Sequence, residues 1–193
     1  MIIAGVDEAG RGPWAGPVVA AAVILQGRVP TGLDDSKKLS AKRREYLFEA
    51  LQASDCVIGI GLASVAEIDA HNILQATYMA MTRAVAALAV PPGHVLVDGN
   101  RLPDWRWPAT AIVGGDGREP AIAAASIIAK VTRDRIMADL DARHPGYGWA
   151  ANQGYGTAAH AAALAALGPS PHHRRSFAPI RALLAGQTEK LAG

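Results

Sequence analysis

Cysteine occurs once in the 193 residues, at Cys56. A lone thiol excludes an internal disulfide framework and any cysteine-rich zinc site, and it fits a reducing compartment. At the head of "CVIGIGLA" it reads as a small core hydrophobe. Aromatic residues are scarce, at 5%. Charge of either sign is nearly cancelled, because 19 Lys and Arg against 17 Asp and Glu leave a formal net charge of +2. That excess is too small to mark a nucleic-acid binder by itself. Long apolar runs are also missing: "PVVAAAVIL" is far short of the ~20 residues a membrane helix needs. No basic stretch precedes the first apolar residues, so no signal peptide is expected and the cytoplasm is the expected compartment. The 50% hydrophobic content is enough to bury a proper core in one domain or two small ones.

What is present is an ordered change of periodicity. Residues 1–8, 17–25 and 56–63 are short Val- and Ile-rich runs bounded by Gly and Pro, and "HVLVDGN" and "ATAIVGGD" repeat the pattern; these read as five strands. Helical spacing covers "LSAKRREYLFEALQAS", with Ser40 as N-cap and Tyr46, Leu47 and Leu51 along one side. It returns in "SVAEIDAHNILQATYMAMTRAVAALAV", where Ser64 and Glu67 have the spacing of a capping box. It appears again in "AIAAASIIAKVTRDRIMADLDARH" after Pro120. This order predicts an α/β fold with a mixed five-stranded sheet flanked by helices. The first three strands are expected as antiparallel hairpins, and the last two are expected to be reached through helical crossovers. Residues 1–143 would form this main domain. Residues 144–193 would form a small helical C-terminal region packed on it, with "TAAHAAALAAL" as its helix and "LLAGQTEKLAG" as a loose tail.

Acids stand where these strands end. Asp7 and Glu8 follow "MIIAGV", Asp98 closes "HVLV", and Asp116 follows "IVGG". A buried carboxylate is costly unless a positive charge meets it, so strand-end acids favour a rim or a bound cation. Each one alone also fits a turn-forming or helix-capping aspartate. Together, four oxygen donors without His or Cys suit a hard cation, Mg²⁺ or Mn²⁺, rather than zinc. Neighbours in a strand point to opposite faces, so Asp7 and Glu8 reach one ion only if the chain bends, and Ala9 and Gly10 are the place for it. The glycines of "AGRGPWAGP" allow a close approach to phosphate or hydroxyl oxygen, or form a plain turn between two strands.

The chain resembles the type 2 ribonucleases H, and specifically the bacterial ribonuclease HII family. The likeness is carried in order by "DEAGRGPWAGPV", "DDSKKLS", "EIDAHNILQAT", "VDGN", "GGDGREPAIAAASIIAKVTRD", "NQGYGT" and "HHRRSFAPI". Trp14 stands where the family usually has leucine, and "GGD" stands where a basic residue often precedes the Gly-Asp pair. The resemblance implies a ribonuclease H-like fold. It implies an endonuclease that cuts the RNA strand of RNA/DNA hybrids and single ribonucleotides embedded in duplex DNA, leaving 3′-hydroxyl and 5′-phosphate ends. It further implies that Asp7, Glu8, Asp98 and Asp116 bind two Mg²⁺ or Mn²⁺ ions and that Gly10, Arg11 and Gly12 recognise the ribose 2′-hydroxyl. Tyr155 would pack against the sugar, and Lys37 would bind the substrate.

Around this set the sequence offers other basic residues. Lys38, Lys130, Arg133, Arg174 and Arg175 are candidates for phosphate contacts or plain solvated charges. Asp134 is a rival for the fourth acid, but its mid-helix place beside Arg133 and Arg135 suggests ion pairing. His172 and His173 suit a basic surface or docking turn better than a metal pair. A nuclease of the same fold without the ribose sensor, a non-catalytic hybrid-binding protein and a small-molecule phosphatase using Asp7 as nucleophile are the competing functions. The tail lacks a clamp-binding motif, and a monomer is expected.

Overall fold

The computed structural model describes residues 1–192, with side chains described through residue 186. Strands β1 (Ile3–Ala9), β2 (Val18–Ile24), β3 (Val57–Ala63), β4 (His94–Asp98) and β5 (Ala109–Ile112) form one sheet in the order β3-β2-β1-β4-β5. The pairs β1–β2 and β2–β3 are antiparallel, whereas β1–β4 and β4–β5 are parallel, so the sheet is mixed as expected. The helices are α1 (Ala41–Gln52), α2 (Val65–Ala86), α3 (Pro120–Arg143), α4 (Trp149–Asn152), α5 (Ala158–Leu167) and α6 (Ala178–Ala192).

Strand β2, with the sequence VVAAAVI, is buried on both faces. Val18, Ala20, Ala22 and Ile24 pack toward α2, and Ala21 and Val23 pack toward α1 and α3. Alternate residues of a strand face opposite ways, so each helix layer meets its own set. The small residues let the helices sit close. At Gly61 on β3 an added Cβ would lie 2.1 Å from the Ala80 carbonyl oxygen and 2.5 Å from the Ala84 nitrogen, both backbone atoms of α2. Gly61→Val should therefore cost about 3 kcal/mol, which at ~2–4 °C per kcal/mol lowers Tm by roughly 6–12 °C. An unchanged Tm would contradict this seating of α2 on β3.

The caps form as the sequence suggests. Ser40 accepts from the Arg43 N–H, and Ser64 and Glu67 complete both halves of the capping box. Four expectations are corrected. Tyr46 is exposed beneath the Arg43 guanidinium, and the buried face of α1 is Leu47, Phe48 and Leu51. Helix α2 is broken at Asn72, whose φ of 68° and ψ of 165° lie in a region that strains a residue with a Cβ. Its side chain caps the second half by accepting from the Leu74 and Gln75 N–H groups. The crossover from β3 to β4 is the helix α2, but β5 is reached through residues 99–108 without a helix, and Trp105 and Trp107 there pack on the sheet core. The segment "LLAGQTEKLAG" is helical to Ala192, with Leu183 and Leu184 against a third apolar cluster. Gly193, and the side chains of residues 187–192, lie outside the described residues.

That third cluster joins Ala15, Met137 and Leu140 to Tyr147, Trp149, Leu164 and Ile180. Through it the glycine-rich loop after β1, the end of α3 and the C-terminal helices share one core.

Candidate active site

Strands β1 and β4 run side by side, with Val6 opposite Val97. The next residues, Asp7 and Asp98, therefore leave the sheet together. Asp116 comes from farther along, because β5 stops at Ile112 and a one-turn 3₁₀ helix (Gly115–Gly117) carries it back; the strand reading of "ATAIVGGD" was too long by four residues. Asp98 Oδ1 holds that turn by accepting from the Gly115 N–H at 2.8 Å. Carboxylate oxygens of Asp7, Asp98 and Asp116 all lie within 4.8 Å of one another. Strand β1 continues through Ala9, and Glu8 borders both the cleft that Asp7 lines and the α2 residues Leu74, Thr77 and Tyr78. Its carboxylate stands outside the group of three and lies 3.6 Å from Arg11.

Three carboxylates this close repel one another. Burial, then Glu8 and Asp98, push the Asp7 pKa well above its usual value. Burial, then Asp98 and Asp35, raise Asp116. A divalent cation removes both penalties, and an all-oxygen donor set fits Mg²⁺ or Mn²⁺. Lys37 is exposed but faces the same acids. Partial burial disfavours its charge, and Asp35, Asp7, Asp116 and Asp98 outweigh that and raise its pKa.

Asp7, Glu8, Gly10, Arg11, Gly12, Lys37 and Tyr155 line one cleft of about 420 Å³. A second cleft of about 310 Å³ shares Glu8 and Arg11 and continues past Asp98 to Asn100 and Arg101. Tyr155 is 47% exposed, with its ring against Gly12. The loop reaches this position because two segments hold it: Trp14 N–H donates to the Gly154 carbonyl, and Arg174 N–H donates to the Trp14 carbonyl. The Trp14 indole fills the space over Gly156, where a Cβ would meet it at 2.0 Å.

Several basic residues lie elsewhere than the sequence suggests. Arg133 and Arg174 are only 1% and 0% exposed, and their guanidinium groups end on backbone carbonyls of the glycine-rich loop and Gln153 rather than in solvent. Asp134 does form an ion pair, but with Lys130 at 2.7 Å, while Arg135 reaches Glu45. Lys130 and Arg133 line the main cleft, as do Ser36 and Ser126, which share a 2.7 Å hydrogen bond and were missed in the sequence. Ser36 in "DDSKKLS" carries no signal for a partner 90 positions away.

His173 is buried rather than part of a basic surface. Its Nδ1 accepts from the Ser170 N–H at 2.9 Å, so Nε2 carries the proton and donates to His160 Nε2 at 3.1 Å. His160 then donates from Nδ1 to the Tyr155 carbonyl at 2.9 Å, which ties the network to the cleft. The tautomers follow from this bonding pattern. Burial, followed by the neighbouring His160, pushes the His173 pKa down to about 4. Between that value and the ordinary value of about 6.5 the unfolded chain binds the proton and the folded chain does not, so this residue's contribution is lost as pH falls through that window. In an NMR titration the His173 ring should stay neutral down to about pH 4. Titration between pH 6 and 7 would mean that the network is open to water.

Known proteins resemble this chain in sequence and fold. The ribonuclease HII family profile matches residues 4–180. Ribonuclease HII of Rhizorhabdus wittichii is 63% identical over 179 residues, covering 92% of this chain and 88% of that protein. Among solved structures, ribonuclease H2 from Pyrococcus horikoshii superposes with a TM-score of 0.80 at 28% identity, covering 98% of this chain and all of that one. A ribonuclease HII from Archaeoglobus fulgidus, solved in complex with PCNA, gives a TM-score of 0.67 at 27% identity, covering 98% and 90%. The fold is therefore ribonuclease H-like. No helix among the described residues is long and apolar enough to cross a membrane. With its acids, its sheet order and these relatives in agreement, the chain belongs to the ribonuclease HII family, metal-dependent hydrolases that cut the RNA strand of RNA/DNA hybrids.

Proposed function

We propose that this chain also removes single ribonucleotides from duplex DNA, cutting on the 5′ side of the ribonucleotide and leaving 3′-hydroxyl and 5′-phosphate ends. The observation that carries this reading is the shared cleft, in which Asp7 and Glu8 face the same space as Gly10, Arg11, Gly12 and Tyr155. A sensor that needs only one ribose has to sit beside the acids. Asp7, Glu8, Asp98 and Asp116 hold the divalent ions. Two such ions, Mg²⁺ or Mn²⁺, supply activation of a water and stabilisation of the leaving oxygen. No histidine lines the cleft among the described residues, which fits a reaction that needs no imidazole base. Loop N–H groups recognise the 2′-hydroxyl, and a deoxyribose leaves them unpaired. Tyr155 packs on the sugar, and Lys37 neutralises a phosphate next to the acids. The enzyme acts as a cytoplasmic monomer.

The test uses an end-labelled DNA duplex with one ribonucleotide, beside an all-DNA duplex, in Mg²⁺, Mn²⁺ or EDTA. Cutting 5′ to the ribonucleotide, absent from EDTA and from the all-DNA duplex, is the expected result. Cutting of hybrids alone would confine the chain to continuous RNA, and cutting of all-DNA would remove the sensor role from the loop.

A further inference from the structure

Arg174 is fully buried and has no carboxylate partner among the described residues. Its guanidinium instead donates to four carbonyls of the glycine-rich loop: Gly10 at 2.5 Å, Arg11 at 2.9 Å, Gly16 at 3.0 Å and Pro17 at 3.3 Å. Arg133 lies next to it and donates to Ala15 and Pro17 at 3.0 Å each. Two buried cations side by side are costly, and carbonyl dipoles offset only part of that cost. A plain glycine turn needs neither.

The peptide plane supplies the consequence. In a trans peptide the carbonyl of one residue and the N–H of the next point in opposite directions, and the described residues contain no cis bonds. With the Gly10 and Arg11 carbonyls drawn inward, the Arg11 and Gly12 N–H groups are turned outward, and both residues line the cleft. Among the described residues neither N–H meets a protein acceptor. We propose that Arg174 is a positioning residue for sugar discrimination: by fixing those two carbonyls it presents two free N–H donors to the 2′-hydroxyl of the ribonucleotide. It does not line the cleft, so it acts through the loop and never touches substrate. The proposal rests on the ribose-sensing reading above.

The experiment compares the wild type with Arg174→Lys and Arg174→Met. Affinity is read by fluorescence anisotropy in Ca²⁺, for a duplex with one ribonucleotide and for the same duplex in all-DNA form, together with Tm. In the wild type the ribonucleotide should be preferred about tenfold or more, the worth of one good hydrogen bond. Arg174→Lys keeps the charge, but three donors on one nitrogen cannot reproduce the planar fork that reaches four carbonyls from three nitrogens. It should recover most of the Tm lost in Arg174→Met, keep all-DNA affinity, and bring the preference down to about twofold or less. A preference retained in Arg174→Lys would overturn the role of Arg174 and leave the sensor intact. Equal weakening on both duplexes would reduce Arg174 to a structural part and overturn it too. No preference in the wild type would sink the sensor and this proposal together.

Discussion

Asp116→Asn should lower cleavage of a ribonucleotide-containing duplex by roughly 10²–10³-fold, the scale of losing one preorganised electrostatic group, whereas Asp134→Asn should keep a substantial part of the activity. The two acids are close in sequence, and only their surroundings separate them. Asp116 sits against Asp7 and Asp98 with its pKa raised by burial and by Asp98, the setting in which a cation would relieve it. Asp134 already has one in Lys130. A further outcome guards against a trivial loss of fold: in EDTA, Asp116→Asn removes one of three crowded carboxylates and should raise Tm, so activity falls while metal-free stability rises. The reverse ranking of the two variants would overturn the assignment of Asp116. A fall in Tm for Asp116→Asn would mean that its carboxylate is held by protein donors rather than waiting for an ion.

Gly10→Ala should also be damaging, for a steric reason. Gly10 has a φ of 96°, a region that suits glycine, and an added Cβ would stand 2.0 Å from Arg133 Nε and 2.4 Å from its Cδ. Arg133 cannot swing aside cheaply, because its guanidinium is bonded to the carbonyls of Ala15, Pro17 and Gln153. Backbone strain and the clash together should cost about 3 kcal/mol or more. The displaced loop should lose roughly tenfold or more in ribonucleotide cleavage, as its donors miss the hydroxyl. Gly12→Ala is the control. Its backbone is ordinary and its Cβ would meet only the Tyr155 ring at 3.4 Å, so it should fold with a near-normal Tm. Equal Tm values for the two variants would contradict the packing of Gly10 against Arg133.

What could be read from the sequence was local. Caps such as Ser64 with Glu67 depend on residues three apart, and the short Val-rich runs carry their own period, so four strands and the main helices were legible. Asp98 was legible as the last residue of its strand. The fifth strand was overdrawn because "VGG" continues the apolar pattern while its glycines turn the chain. Asn72 looks like any polar residue on a helix, and nothing in its neighbours announces a break. Arg133 and Arg174 were misread for a different reason. An arginine in a basic stretch is usually solvated, and apart from Gln153 their acceptors, carbonyls of residues 10–17, belong to a segment more than 110 positions away. Backbone carbonyls have no sequence signature, so partners of this kind can be found only in three dimensions.

The bridge between Ala15 and His173, with the Arg174 bonds beside it, sets an order of assembly. A chain is synthesised from its N-terminus, and the parts released first can fold first. The four acids lie within the first 116 residues, whereas the glycine-rich loop is held by Arg133, Gly154 and Arg174, which emerge later. During synthesis, then, the acids emerge well before the segments that fix the loop beside them, and the loop takes its final shape only as the last fifth of the chain folds against it.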